Sequence, residues 1–451
     1  MKIIKYTLIL VLFFTTISCE KELDIEPAQS ISSEKALSTE DNVLNILVGT
    51  YTEAGEDATF GGRTQIIADL LGNTTQMSWG GTFVDPRQFN SKSVLVDNAF
   101  VEEVWGNSYE VINQANLVID NLEVITNGAA DIAEGEAKFL RALMYFDLVR
   151  HFGKPYVAGA SNTQLGVPLR LNGIIDYGID LSIARSTVEE VYTQIITDLN
   201  DAFSKLPATN DVYADKYAAE ALLAKVYFQQ GNYAAARDAA DDVILYSGHT
   251  LAPTYSGAFN NDVDSVEDLF AFQVTSQGGD NDFITFYASQ DFGGRQGDID
   301  LQIGFFNLFD DAANDERYSF TYISSDTGGT LTSKYTNQFA NISVLRIADM
   351  HLVRAESNFR EGTSVGLPPL DEVNAVRARS NASALSALTL DVLFNERQLE
   401  LSFEGQLIDD IKRTQKNVGA LSFDAEELIL PIPQAEMDTN NLMFQNTGYV
   451  K

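Results

Sequence analysis

The sequence predicts a mostly α-helical solenoid of paired helices interrupted by two large irregular inserts. Three observations carry that expectation. Between Asp215 and Leu245, apolar residues fall at helical spacing on both sides of a Gly231-Asn232 break, which describes two antiparallel helices joined by a tight turn. Two further stretches, 105–152 and 344–379, show the same paired pattern around glycine breaks. The segments 55–98 and 248–342 show no sustained period and are rich in Gly, Asn, Asp and aromatic residues. A lone helix pair cannot bury its outer faces, so the pairs must stack on one another.

At 451 residues and 45% hydrophobic, the chain can bury a large core. Residues 1–18 carry Lys2 and Lys5, then a mostly apolar run from Leu8 to Phe14, then small polar residues, which is a secretory leader. The formal charge of −34 becomes −36 once those two lysines leave with it, which disfavours nucleic acid as a partner. Cys19 is the one cysteine, so no disulfide framework or cysteine-ligated metal site is available. Thr16-Ile17-Ser18-Cys19 resembles a bacterial lipobox, with Thr16 where Leu is usual. Cys19 is therefore the expected lipidation point, and residues 19–35 the tether of a body spanning 36–451. Lipid chains can hold a protein on a membrane without a spanning helix.

A first helix is expected over 36–54, with Thr39 or Asp41 placed to cap it. The stretch 55–98, containing Trp79, reads as one long irregular excursion. Trp105, Tyr109, Ile112, Asn116, Ile119 and Leu122 form a helical face, followed by a second helix over 133–152. Pro155 to Arg185 reads as an extended crossing segment, and Ser186-Thr187 before Val188-Glu189-Glu190 signals the start of a helix ending near Leu206. In the central hairpin, Leu223-Ala224-Lys225-Val226-Tyr227 matches the L-G-x2-Y core of a tetratricopeptide unit, with Ala in the glycine slot. The third pair is expected over 344–360 and 369–379, and a last helix over 390–413. Gly153, Gly231 and Gly362 are not evenly spaced at the ~34 residues of a tandem array, so the solenoid is interrupted.

No P-loop or dinucleotide fingerprint is present, the one Gly-x-Ser-x-Gly spacing, Gly362 to Gly366, falls in the break of the expected third helix pair, and the three histidines are scattered without metal-ligand spacing. Glu396, Glu400 and Glu404 share one expected helix face. A glycosidase pair must instead flank a bond at ~5 to ~10 Å in a cleft. With Arg397 beside them, and Asp409 four residues before Arg413, they read as salt-bridged structural charge. Asp262, Asp264 and Asp268 lack the glycine and closing glutamate of a Ca²⁺ loop. No catalytic residue, metal or cofactor is assigned. The aromatics of the inserts are the candidate binding groups. Trp79, Tyr287 and Phe292, with Arg295, suit a platform on which an apolar sugar face stacks. The same rings would equally pin their own loops to the scaffold.

Several motifs are familiar together: Trp105, Tyr109 and Asn116; Phe139-Leu140-Arg141-Ala142-Leu143 through Arg150; Asp315-Glu316-Arg317-Tyr318; Leu345-Arg346-Ile347-Ala348-Asp349; and Val373 to Arg379. The most specific are Glu396-Arg397-Gln398-Leu399-Glu400 through Gly405, then Pro431-Ile432-Pro433-Gln434, and Gln445-Asn446-Thr447-Gly448-Tyr449. Over nearly its whole length the chain resembles the SusD/RagB family of Bacteroidetes outer-membrane nutrient-binding lipoproteins. It departs at Gln406, usually arginine, and Thr447, usually proline. The resemblance implies a right-handed solenoid of tetratricopeptide-like pairs in a single SusD-like domain, with parts meeting near 255/256. It further implies a non-enzymatic, cell-surface protein that delivers glycans to a SusC-like TonB-dependent transporter. Oligopeptide uptake is the alternative within the family; a surface glycan hydrolase and a protein-docking adaptor are readings outside it.

Overall fold

The computed structural model describes residues 36–126, 128–275 and 281–449. Cys19, the leader and the tether of residues 19–35 lie outside them. α1 (Glu40–Ala54) begins where the Thr39 hydroxyl accepts the Asn42 N–H at 3.4 Å. The first insert is more ordered than its sequence suggests, holding α2 (Arg63–Gly72), β1 (Met77–Trp79) and α3 (Val84–Ser91). All ten residues of α2 are buried, so the helix has no polar face and leaves no amphipathic period to read.

α4 (Ala99–Ile119) and α5 (Ala129–Phe152) form the next pair, and α6 (Val188–Lys205) starts with a reciprocal cap between Thr187 and Glu190. α7 (Lys216–Gln230) and α8 (Tyr233–Tyr246) are the central hairpin. Gly231 closes α7 at φ 73°, a left-handed turn that glycine adopts without steric cost, and Asn232 caps α8. Consecutive helices from α4 to α8 each pack on the next. The second insert then intervenes, with β2 (Asp268–Phe272), α9 (Asp282–Tyr287), β3 (Ile299–Leu301), β4 (Thr321–Ile323), β5 (Thr330–Thr332) and β6 (Ile342–Arg346). Among the described residues the sheets are two-stranded and antiparallel: β1 with β3, β2 with β6, and β4 with β5. α10 (Ile347–Glu361) resumes the stack by packing on α8, and α11 (Pro369–Arg379) packs on α10. Val344, expected in that helix, belongs to β6 instead.

The last long helix of the sequence reading is two helices, α12 (Leu390–Glu400) and α13 (Leu407–Thr414). Between them Phe403 and Gly405 take φ of 66° and 75°, which ends the α-helical path. The buried Lys334 ammonium donates to the freed carbonyls of Glu400 and Ser402 at 3.3 and 2.8 Å. A short α14 (Gln434–Thr439) follows. One hydrophobic cluster runs from Val43 on α1 to Met443 near the C-terminus.

The recurrent motifs fasten these parts together. Tyr109 donates to the Pro168 carbonyl at 2.8 Å and Asn116 to that of Arg170 at 3.0 Å, strapping the crossing segment to α4. Gln445 bonds both the N–H and the carbonyl of Ile432, and Asn446 donates to the carbonyls of Phe152 and Leu430.

Glu396, Glu400 and Glu404 are buried in an arginine network. Glu396 joins Arg317 at 2.6 Å and Arg377 at 2.8 Å, Glu400 joins Arg346 and Arg379, and Glu404 joins Arg346 and Lys334. Arg397 turns away from the glutamates to Asp349 and Asp410, and Asp409 pairs with Arg150 rather than Arg413, which binds Glu356 and Asp410. Asp409 and Arg413 share α13, but each meets a partner on another packed helix, Arg150 of α5 and Glu356 of α10, which the spacing within one helix does not reveal.

Removing Glu400 leaves two buried guanidiniums short of a partner, so Glu400→Ala should destabilise the fold by about 3–5 kcal/mol in denaturant unfolding. Asp310→Ala, which removes a half-exposed partner of Arg377, should cost less than about 1 kcal/mol. Equal effects would show that burial does not set the worth of these pairs.

Candidate functional site

The two inserts meet through the antiparallel pairing of β1 and β3, which places Met77, Ser78 and Trp79 opposite Leu301, Asp300 and Ile299. Trp79, expected in a ligand platform, is only 8% exposed. Its ring lies 5.4 Å from Phe286 and its Nε1–H donates to the Phe83 carbonyl at 3.2 Å. It is a foundation for the loop that follows it rather than an open stacking face.

That loop presents Phe83, which the sequence reading passed over. Phe83 is 39% exposed, with an edge toward Phe286 at 5.8 Å and the Arg295 guanidinium over it at 4.4 Å. Arg295 is fixed from two sides. Its Nε donates to the buried Asp298 at 3.1 Å, and its Nη2 donates to the Thr82 hydroxyl at 3.0 Å. Its backbone N–H is held by the Thr285 carbonyl at 3.1 Å. Trp79 and Arg295 therefore converge, from opposite inserts, on one exposed ring. The available sequence signal was the run Gly80-Gly81-Thr82 placing Phe83 and Val84 at the start of α3, two adjacent large apolar residues on a loop.

Tyr287 does not join them. It is fully buried, its hydroxyl donates to Asp69 at 3.0 Å, and its ring sits among Phe283, Tyr335 and Phe403, so no face is open to a ligand. Side chains of successive residues point apart, which is why Phe286 supports the platform while Tyr287 enters the core. Phe292 is 38% exposed and stands edge-on to Tyr322 of β4 at 5.1 Å. This second ring pair lies on the β4–β5 side of the insert, where Asp326 accepts the Gln290 N–H at 2.8 Å and Asp291 accepts from Ser325 at 2.6 Å. The inserts thus present one ring stacked with a positioned arginine and, on the β4–β5 side, a second exposed ring beside Asp291 and Asp326. Such groups can stack on the C–H face of a sugar and bond its hydroxyls.

The acidic loop at 262–268 is spent on its own structure: Asp268 accepts the Ser265 N–H, and Asp264 accepts from Gln273 and Asn341. Among the described residues no three His, Cys, Asp or Glu side chains gather as metal ligands.

Residues 22–228 match a family model described as starch-binding and associating with the outer membrane, and residues 253–449 match a model of the SusD family. SusD-like protein P25 of Formosa agariphila is 26% identical over 282 residues, 58% of this chain and 49% of its own. A SusD-like protein of Bacteroides ovatus is 25% identical over 377 residues, 70% of this chain and 66% of its own. The chain thus spans about half to two-thirds of the length of these curated relatives. Among solved structures, a SusD superfamily protein of Bacteroides thetaiotaomicron superposes with a TM-score of 0.80 at 25% identity, covering 90% of this chain and 99% of that one. A laminarin-binding SusD-like protein superposes with a TM-score of 0.74 at 22% identity, covering 91% and 100%.

Beneath the site, burial raises the Asp69 carboxyl to about 7, against partial relief from the Tyr287 and Gly405 hydrogen bonds. A value raised by folding means the folded chain holds the proton more tightly than the unfolded one. Asp69 therefore contributes stability that is complete below the ordinary carboxyl range and is lost as pH rises through about 7. Thermal unfolding of Asp69→Asn should lose less stability than the parent between about pH 5 and about pH 8. Parallel curves would remove Asp69 from the pH dependence.

Proposed function

The chain belongs to the SusD family, and from that premise we propose that it is a surface lipoprotein, anchored through Cys19 at the outer membrane, which captures glycans and passes them intact to a SusC-like TonB-dependent transporter. The observation that carries the capture step is the exposed Phe83 ring stacked with the immobilised Arg295. Phe83 supplies an apolar surface whose position is already paid for by burial of Trp79 and Phe286 beneath it, so ligand binding need not order the loop. Arg295 is held by two hydrogen bonds, and among the described residues none uses its Nη1, which can donate to a ligand oxygen.

Binding without turnover is supported by the location of the carboxylates that most invite a hydrolase reading. Glu396, Glu400 and Glu404 are each paired with buried cations and do not flank a cleft across which a glycosidic bond fits. Among the described residues no helix is long and apolar enough to cross a membrane. Import of a captured ligand accordingly falls to a second protein, and a shared membrane raises the effective concentration of the two.

Phe83→Ala should weaken glycan binding by about 1–3 kcal/mol in calorimetry while leaving the melting temperature nearly unchanged. Peptide binding by the parent protein with no glycan binding would replace this function with oligopeptide uptake, and release of reducing ends would replace it with hydrolysis. Gentle detergent extraction of the tagged full chain should recover a large β-barrel subunit with it. Recovery of the tagged protein alone, where other outer-membrane complexes survive, would overturn the transporter partnership.

A further inference from the structure

Asp300 is the one carboxylate at the meeting of the inserts that makes no hydrogen bond among the described residues. It lies in the middle of β3, opposite Ser78, and is partly exposed. Its Oδ1 is buried without a donor. Its Oδ2 lies toward Gly80, about 4.0 Å from where a side chain there would begin, and Oδ1 lies so close under Gly329 that a Cβ would collide with it at 1.8 Å. Two residues away, Asp298 has both oxygens satisfied, by Arg295 and by Gln296 at 3.2 Å. Other carboxylates with a buried oxygen lacking a donor, at Asp147, Glu220, Asp268, Glu400 and Asp409, lie away from the inserts' junction, and Asp300 differs from them in standing beside the exposed loop at Gly80, where an incoming donor would offset the cost of its burial.

The charges around it select among ligands. Arg295 is already paired with Asp298, and Arg87 donates to the Gly81 carbonyl at 3.0 Å. Against these stand Asp291, Asp298, Asp300 and Asp326 on a chain whose formal charge is −34. A uronic or sulfated sugar would bring further negative charge to that surface. A neutral sugar brings hydroxyl donors, which a carboxylate accepts as charge-assisted hydrogen bonds.

We propose that Asp300, reached past Gly80, is a specificity-determining acceptor for sugar hydroxyls and that the site takes neutral glycans and rejects anionic ones. This rests on the glycan-binding reading of the Phe83 platform. Gly80 is part of the device: a methyl group there meets nothing closer than 3.8 Å, so Gly80→Ala is compatible with the fold, yet it crowds the approach to Oδ2.

The test is a soluble glycan panel with neutral members, including laminarin and starch, and anionic members, including alginate and polygalacturonate, bound to the full chain, Asp300→Asn and Gly80→Ala. A neutral glycan should bind the parent, and both variants should weaken it about tenfold or more at unchanged melting temperature. Tighter binding of an anionic glycan by the parent, or unchanged neutral-glycan affinity in Asp300→Asn, would overturn the proposal while glycan capture stands. Failure of every glycan, neutral or anionic, would overturn the capture reading itself. A variant with a lowered melting temperature is judged by the other, since Asp300→Asn keeps the side-chain shape and Gly80→Ala leaves the carboxylate in place.

Discussion

Arg346 and Glu400 sit at the junction on which both halves of the molecule depend. Arg346 ends β6 and opens α10, and its guanidinium reaches Glu267 beside β2, Glu400 at the end of α12 and Glu404 in the break before α13. Three stretches distant in sequence are therefore held by one cation. Its charge is favoured strongly by these carboxylates even though burial opposes it, and the same network holds Glu400 and Glu404 in their ionised forms. Pairing of this kind adds little net stability over an apolar core, but breaking it leaves charge stranded in low dielectric. Geometry, more than energy, is what it supplies: the helices cannot slide without separating bonded partners.

Burial of this kind is common in the molecule. Among the described residues twelve lysines and arginines are buried, beside seventeen aspartates and glutamates. Most of the buried cations are held by such carboxylates rather than turned to solvent. Arg295 is informative against that background, since it is partly exposed and held over an exposed ring. Its position is determined by Asp298 and Thr82, which come from different inserts.

The inserts are thus separate in sequence but form one structure. β1 and β3 pair across more than two hundred residues of chain, and Trp79 is buried to make the Phe83 loop rigid. The solenoid beneath contributes the rigidity that lets such loops keep a fixed shape. Tyr287 and Asp69 lock α9 to α2 in the same region, with Gly405 of the α12–α13 break donating to the other Asp69 oxygen at 3.2 Å. Scaffold and platform meet at that point.

Helix pairs were legible in the sequence because each leaves one face polar, so Leu223, Val226 and Tyr227, or Trp105, Tyr109 and Ile112, recur at a period set by the backbone alone. Caps such as Thr187 with Glu190 and the turn at Gly231 were legible for the same reason: their partners lie within a few residues. The family motifs around Glu396 to Gly405 and Gln445 to Tyr449 were legible as words, though not which arginine each glutamate would meet. α2 was hidden because burial on every side erases periodicity. The candidate site was only half visible. An aromatic side chain such as Trp79, Tyr287 or Phe83 has the same chemistry in the core as on the surface, and exposure is decided by what packs over it. Only tertiary contacts decided the outcome: the β1–β3 pairing and Phe286 bury Trp79, Asp69 of α2 takes the Tyr287 hydroxyl into the core, and Phe83 stays open beneath Arg295, because those contacts join residues far apart in the chain that no local pattern relates.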